Sequence, residues 1–222
     1  MTKPAAIAVL EFDSIAIGAL TADAMVKNAP IDTFRIGTVH PGKYLVLVGG
    51  SVAAIEEARR AAQMVGGANI TDEIFLPDVH DQVYAAVEGA RRDNVGDALG
   101  ILETSQIPVI VAAADKAIKT AEVTIVEIRL GDGLGGKGIV VLSGLVHDVE
   151  VAMAAALEIA ATHPDSTVWH AIIPIQHGDV RDRFASATRF FPNGSTTSDS
   201  ADSEPHATGP GAHPQRKGPR RR

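Results

Sequence analysis

The stretch IAVLEFDSIAIGALTADAMVKNAPIDTFRI, residues 7–36, returns 92 positions later as LGILETSQIPVIVAAADKAIKTAEVTIVEI, residues 99–128. Leu10-Glu11 falls on Leu102-Glu103, Ile15 on Ile107, Ala22-Asp23 on Ala114-Asp115, Lys27 on Lys119 and Ala29 on Ala121. Past the next turn the offset becomes 94, with Gly42-Lys43 on Gly136-Lys137 and Gly50 on Gly144. Pro77 and His80 recur as Pro174 and His177. A bias toward small residues produces scattered matches, not paired landmarks kept in one order. The chain is therefore two copies of one folding unit, and any fold assigned to it must be built twice. We place the first domain at 4–89, a polar linker at 90–97, the second domain at 98–188 and a tail at 189–222.

Within one unit, residues 5–11 are apolar and short enough for a buried strand. Residues 14–29 carry Ile15, Ala19, Ala22 and Val26 at helical spacing, with Ser14 or Asp13 as the cap. Strands at 32–38 and 43–48 flank the turn signal Pro41-Gly42. Ser51 opens a helix to about residue 65, residues 70–76 form a fourth strand, and 80–87 a short helix. The order β-α-β-β-α-β plus a terminal helix is a split βαβ, ferredoxin-like α/β (α+β) unit. Its expected form is an antiparallel sheet with two helices on one face.

Composition narrows the chemistry. With no cysteine, thiolate catalysis, disulfides and Cys-ligated clusters are excluded. The formal charge is −7, and the C-terminal stretch 192–222 holds five Lys/Arg against three Asp/Glu, so the rest of the chain is more acidic still. An acidic body does not suit nucleic acid as a partner. The first residues lack the apolar core of a signal peptide, and no run is long enough to span a membrane, so a cytoplasmic protein is expected. The tail has almost no apolar content and is expected to be disordered, ending in the basic set Arg216, Lys217, Arg220, Arg221 and Arg222.

Catalytic signatures are missing. There is no H-E-x-x-H, no G-x-S-x-G and no P-loop. GDGLGGKG, residues 131–138, lacks the Walker spacing and leads into a strand rather than a helix N-terminus. Glu11 and Glu103 end matching strands and are read as structural, while His147, His163, His170, His206 and His213 have no clustered ligand partners in sequence. The chain is not expected to be an enzyme, and no cofactor is expected. Duplication points instead to assembly: two fused units replace two adjacent subunits of a ring, so three chains mimic a hexamer.

Here the residues resemble a known family, the bacterial microcompartment shell proteins. AIAVLEF and ALGILET resemble its opening strand, TADAMVKNA and AAADKAIKTA its first helix, and GGSVAAIEEARRAA and SGLVHDVEVAMAAA its second helix. The likeness covers about residues 5–180 and is similar to unpermuted tandem members of propanediol-utilisation type. It implies a structural protein, a pseudo-hexameric homotrimer tiling with other shell proteins around enzymes, with a central pore for metabolites. It also implies a pore rim of Val39, His40, Pro41, Gly42 and Lys43 in copy one, and Asp132, Gly133, Leu134, Gly135, Gly136 and Lys137 in copy two. Lys27 and Lys119, taken as lacking a partner in their own helices, become tile-edge residues, and the basic tail a contact for enclosed enzymes.

Some relatives carry Cys-Pro-Gly-Lys at the three-fold axis and hold an iron–sulfur cluster there. This chain has His40 in that place, which removes the thiolates. The family ending P-R-P-H is LPDVH and IPIQH here, without the arginine that makes edge contacts. Two other functions stay open at this point: a metal- or cofactor-binding trimer with three His40 imidazoles, and a soluble small-ligand sensory protein.

Overall fold

The computed structural model describes residues 3–93, 96–186 and 188–190. Met1–Thr188 contains every element named below, and Arg189–Arg222 forms a separate unit. The expected disordered tail lies, from residue 191 onward, outside the described residues. Among the described residues no helix is long and apolar enough to cross a membrane.

Copy one runs β1 (Ala6–Phe12), α1 (Ile15–Asn28), β2 (Thr33–Val39), β3 (Lys43–Gly50), α2 (Val52–Gly66), β4 (Ile70–Leu76) and α3 (Asp81–Val87). Copy two repeats it as β5 (Ala98–Thr104), α4 (Ile107–Thr120), β6 (Thr124–Leu130), β7 (Gly138–Gly144), α5 (Val146–Ala160), β8 (Val168–Ile173) and α6 (Gly178–Ser186). The two sheets are antiparallel, ordered β2-β3-β1-β4 and β6-β7-β5-β8. This is the split βαβ order expected from the pattern, in which each βαβ pair brackets a third strand.

Local chemistry accounts for the boundaries. The Ser14 hydroxyl accepts from the Ile17 N–H at 3.3 Å and Ser51 from the Ala54 N–H at 3.2 Å, closing the first turns of α1 and α2. Copy two has Gln106 and Leu145 at these caps, neither capping its helix by its side chain, and α4 instead starts with a proline in its first turn. The repeated histidines are also caps. His80 Nδ1 accepts from Gln82 N–H at 3.1 Å, and His177 Nδ1 from Asp179 N–H at 3.3 Å.

β1 is buried along its whole length because it is covered on both faces. Ala6, Ala8, Leu10 and Phe12 meet Ala22 and Met25 of α1 and Ile55 and Ala58 of α2. Ile7 and Val9 point the other way, into a cluster with Val83 and Val87 of α3. So each unit has two helices on one face, as expected, and its terminal helix on the other.

The second cluster does not stop at the copy boundary. It continues into Ile110, Val111, Ala114 and Ile118 of α4 and Ile125 and Ile128 of β6. Copy one lays its β4 side and α3 over α4 and β6 of copy two, so the two copies share one core.

The repeat is not perfect. β6 shifts register between Ile125 and Glu127, inserting one residue that β2 lacks. By strand partner, Phe34 therefore corresponds to Ile125, and Ile36 to Ile128. The constant offset of the sequences conceals this bulge.

Candidate functional site

The turn after β2 and the turn after β6 come together within one chain. A Cβ on Gly136 would stand 2.8 Å from Pro41 Cδ and 2.9 Å from the His40 carbonyl oxygen, and Gly136 sits at φ +82°. Only glycine satisfies both the close approach and the positive φ. Gly42, Gly133 and Gly135 also have positive φ, and the His40–Pro41 peptide is cis. His40, Pro41, Gly42, Asp132, Gly133 and Gly135 are exposed, whereas Val39 is buried against Gly131.

The two lysines that close these turns are not free. Lys43 Nζ lies 2.7 Å from a Glu11 carboxylate oxygen and donates to the Ser105 carbonyl at 3.0 Å. Glu11 is almost wholly buried; it also accepts from the Ile107 N–H at 2.9 Å and the Thr71 hydroxyl at 3.1 Å. A charge this deep is held because it is paired and hydrogen-bonded. The equivalent pair in copy two, Lys137 and Glu103 at 3.0 Å, is partly exposed, with Lys137 Nζ lying 4.2 Å from the Trp169 ring centre. Glu11 and Glu103, read from sequence as structural, are the feet of the two turns. The repeated spacing of Glu and Gly-Lys was the available signal.

The joint between the copies carries a second polar group set. His163 Nδ1 lies 2.8 Å from Asp72 Oδ1, with both side chains largely buried. Burial raises the Asp72 carboxyl above the ordinary carboxylate range; His163 pulls it back down in part, and the nearby Glu11 pushes it up further. Asp72 Oδ2 has no partner among the described residues. No local pattern joins His163 to Asp72, which lie 91 residues apart.

The reading of Lys27 and Lys119 as unpaired within their helices is corrected. Each bonds the aspartate one turn earlier: Lys27 to Asp23 at 2.6 Å and Lys119 to Asp115 at 2.7 Å. The i,i+4 spacing of Asp23 with Lys27 and of Asp115 with Lys119 is the sequence signal for both pairs. Their surroundings differ. Lys27 is exposed, but Lys119 also donates to the Asp78 carbonyl, and Asp115 accepts the His80 N–H at 2.8 Å, so this pair fastens copy two to the loop after β4. Among the described residues no three His, Asp or Glu side chains gather as a metal site, and His40 stands once per chain.

The joint leaves matching faces bare elsewhere. Ile107 is fully buried, while its counterpart Ile15 is 45% exposed. Ile125 and Ile128 are 0% and 5% exposed, against 44% and 42% for Phe34 and Ile36. The α3 helix has four buried residues and α6 none.

Comparison with known proteins agrees with this architecture. The BMC domain family model matches twice, at residues 6–79 and 98–176. The bacterial microcompartment shell protein PduT of Citrobacter freundii is 36% identical over 172 residues, covering 78% of this chain and 93% of that protein. A crystal structure of a microcompartment protein from Desulfitobacterium hafniense DCB superposes with a TM-score of 0.70 at 39% identity, covering 80% of this chain and 98% of that one. The fused permuted hexameric shell protein MSM0275 shares the fold, with a TM-score of 0.53 at 21% identity over 72% of this chain and 85% of its own. Two matched domains, a shared core and relatives aligned almost end to end make this chain a tandem member of the BMC-domain family of bacterial microcompartment shell proteins.

Proposed function

We propose that three copies of this chain close into a six-domain, pseudo-hexameric ring that forms one tile of a microcompartment shell. The turns 39–43 and 132–137 of each chain border its central passage, with their exposed residues facing it and Val39 and Gly136 buried behind them. The observation that carries this is the mismatch in burial between equivalent surfaces. The joint inside the chain covers α4 and β6 of copy two, and the same surfaces on copy one, α1 and β2, stand open with Ile15, Phe34 and Ile36 exposed. The complementary surface of copy two, β8 and α6, is open as well.

Repeating the internal contact between chains covers both. A head-to-tail contact of this kind generates a ring when its rotation closes, and six near-equivalent domains close with three chains. The passage then meets two kinds of surface in alternation: the His40 turn and the glycine-rich loop, whose backbone groups are exposed to solutes. Lys27, at the open end of α1, is assigned to contacts between tiles, and the basic C-terminus to enclosed enzymes. Metabolite passage and retention of an intermediate are the role of such a tile.

Sedimentation equilibrium at micromolar concentration tests the ring, with a trimer expected. A stable monomer or dimer overturns it. Electron microscopy of concentrated protein tests tiling, and failure to form sheets alone or with other shell proteins counts against the shell contact assigned to Lys27.

A further inference from the structure

The two joints of such a ring are not chemically alike, and one residue carries most of the difference. In copy one, Glu11 pairs across the sheet with Asp72; in copy two, Glu103 pairs with Trp169. Trp169 thus occupies the position from which Asp72 reaches over the internal joint to His163. The offset of 94 that relates α2 to α5 puts Asn69 where copy two has His163. Asn69 Nδ2 donates to the exposed Asp13 carboxylate at 3.0 Å, and Ile15 follows on the same bare surface.

Trp169 is 45% exposed, and its ring is held from one side by Lys137, itself fixed by Glu103. A large ring, pinned by a cation and half in water, is the side chain an interface buries to greatest effect. No other side chain on β8 offers comparable apolar area; its neighbours His170 and Ala171 are smaller.

Resting on the ring reading, we propose that Trp169 is the anchor of the joint between chains. It enters against Ile15 of the partner subunit, and its indole N–H donates to the partner's Asp13 or the partner's Asn69. The occupant of this surface is a second copy of the same chain, presenting its first domain. The internal joint is closed by a polar pair and the external one by an aromatic ring. A homotypic contact would set Asp72 against Asn69, leaving a buried carboxylate without a basic partner. This mismatch favours alternation of first and second domains around the ring.

Trp169 is the chain's single tryptophan, so fluorescence excited selectively at tryptophan reports on this position alone. We would follow emission and sedimentation together through a dilution series of the full-length protein. A blue shift that tracks trimer formation is expected. Trp169→Ala should raise the concentration at which trimers dissociate by more than about tenfold, and Trp169→Phe by less. Circular dichroism of dilute protein should show both variants folded. Asp72→Asn, at the internal joint, should leave trimer dissociation within about twofold of wild type.

If wild type never forms trimers, the ring reading itself fails. If wild type forms trimers but its emission is unchanged by dissociation, or Trp169→Ala dissociates like wild type, the anchor is overturned while the ring stands.

Discussion

Asp72 and Glu11 are two buried carboxylates directly opposite each other on adjacent strands, and each is kept by one cation-capable partner. Asp72 makes the stability of the fold depend on pH. Its carboxyl is raised by burial, so in the window just above the ordinary carboxylate range the folded chain binds a proton that the unfolded chain releases. The stabilisation is therefore complete below that window, is lost as pH climbs through it, and does not change further above it. Asp72→Asn should flatten this dependence, measured by urea unfolding at a series of pH values and one fixed protein concentration. An unchanged slope would assign the titration elsewhere.

His163→Ala should cost about 3 kcal/mol at neutral pH, and less in acid, because it strands the charged carboxylate. The repeated lysines give a sharper contrast. Lys43→Ala should destabilise by about 3 kcal/mol, since Glu11 is left buried and unpaired. Lys137→Ala, at the half-exposed copy of the same pair, should cost no more than about 1 kcal/mol. Equal losses in the two variants would mean that burial is not what separates them.

The helices α1 and α4 descend from one pattern, yet α4 is enclosed and α1 is half bare. The same substitution should act differently in each. Lys119→Asp places a carboxylate beside buried Asp115 and removes the bond to the Asp78 carbonyl, so it should lower the chain's own stability by about 2–3 kcal/mol. Lys27→Asp faces only exposed Asp23, so it should leave folding nearly intact and show its effect in sheet formation. Thermal denaturation and electron microscopy of the two single variants separate these outcomes.

Elements were the part of the structure most open to reading from sequence. Ser14 and Ser51 act as caps where their spacing placed them, and the strand at 70–76 is reproduced as β4. Local signals of this kind depend on residues within a turn of each other. The bulge at Val126 left no mark, because a shorter approach to β6 keeps the sequence offset constant. Asp72 with His163 and Glu11 with Ile107 depend on two domains meeting, a fact that periodicity does not carry.

At the scale of the whole molecule, the decisive quantity is the apolar area that one copy covers and the other leaves open. Phe34 and Ile36 lie on an edge strand, where bare apolar side chains invite a partner. Replacing both with aspartate should preserve the fold, because neither enters the cores of copy one. It should abolish the trimer at micromolar concentration, read by sedimentation. A double variant that still forms trimers would place the joint on another face.

The contact between Gly136 and the His40 turn ties two unlike loops into one gene product. In a ring of six identical polypeptides, any mutation at the opening appears six times, and its effects are all or nothing. Fusion halves that multiplicity and pairs each loop with a fixed companion. Heritable change in one loop is then met by a neighbour that varies independently but is always present in equal number. Such an opening acquires twice as many independently variable positions without any change in its size.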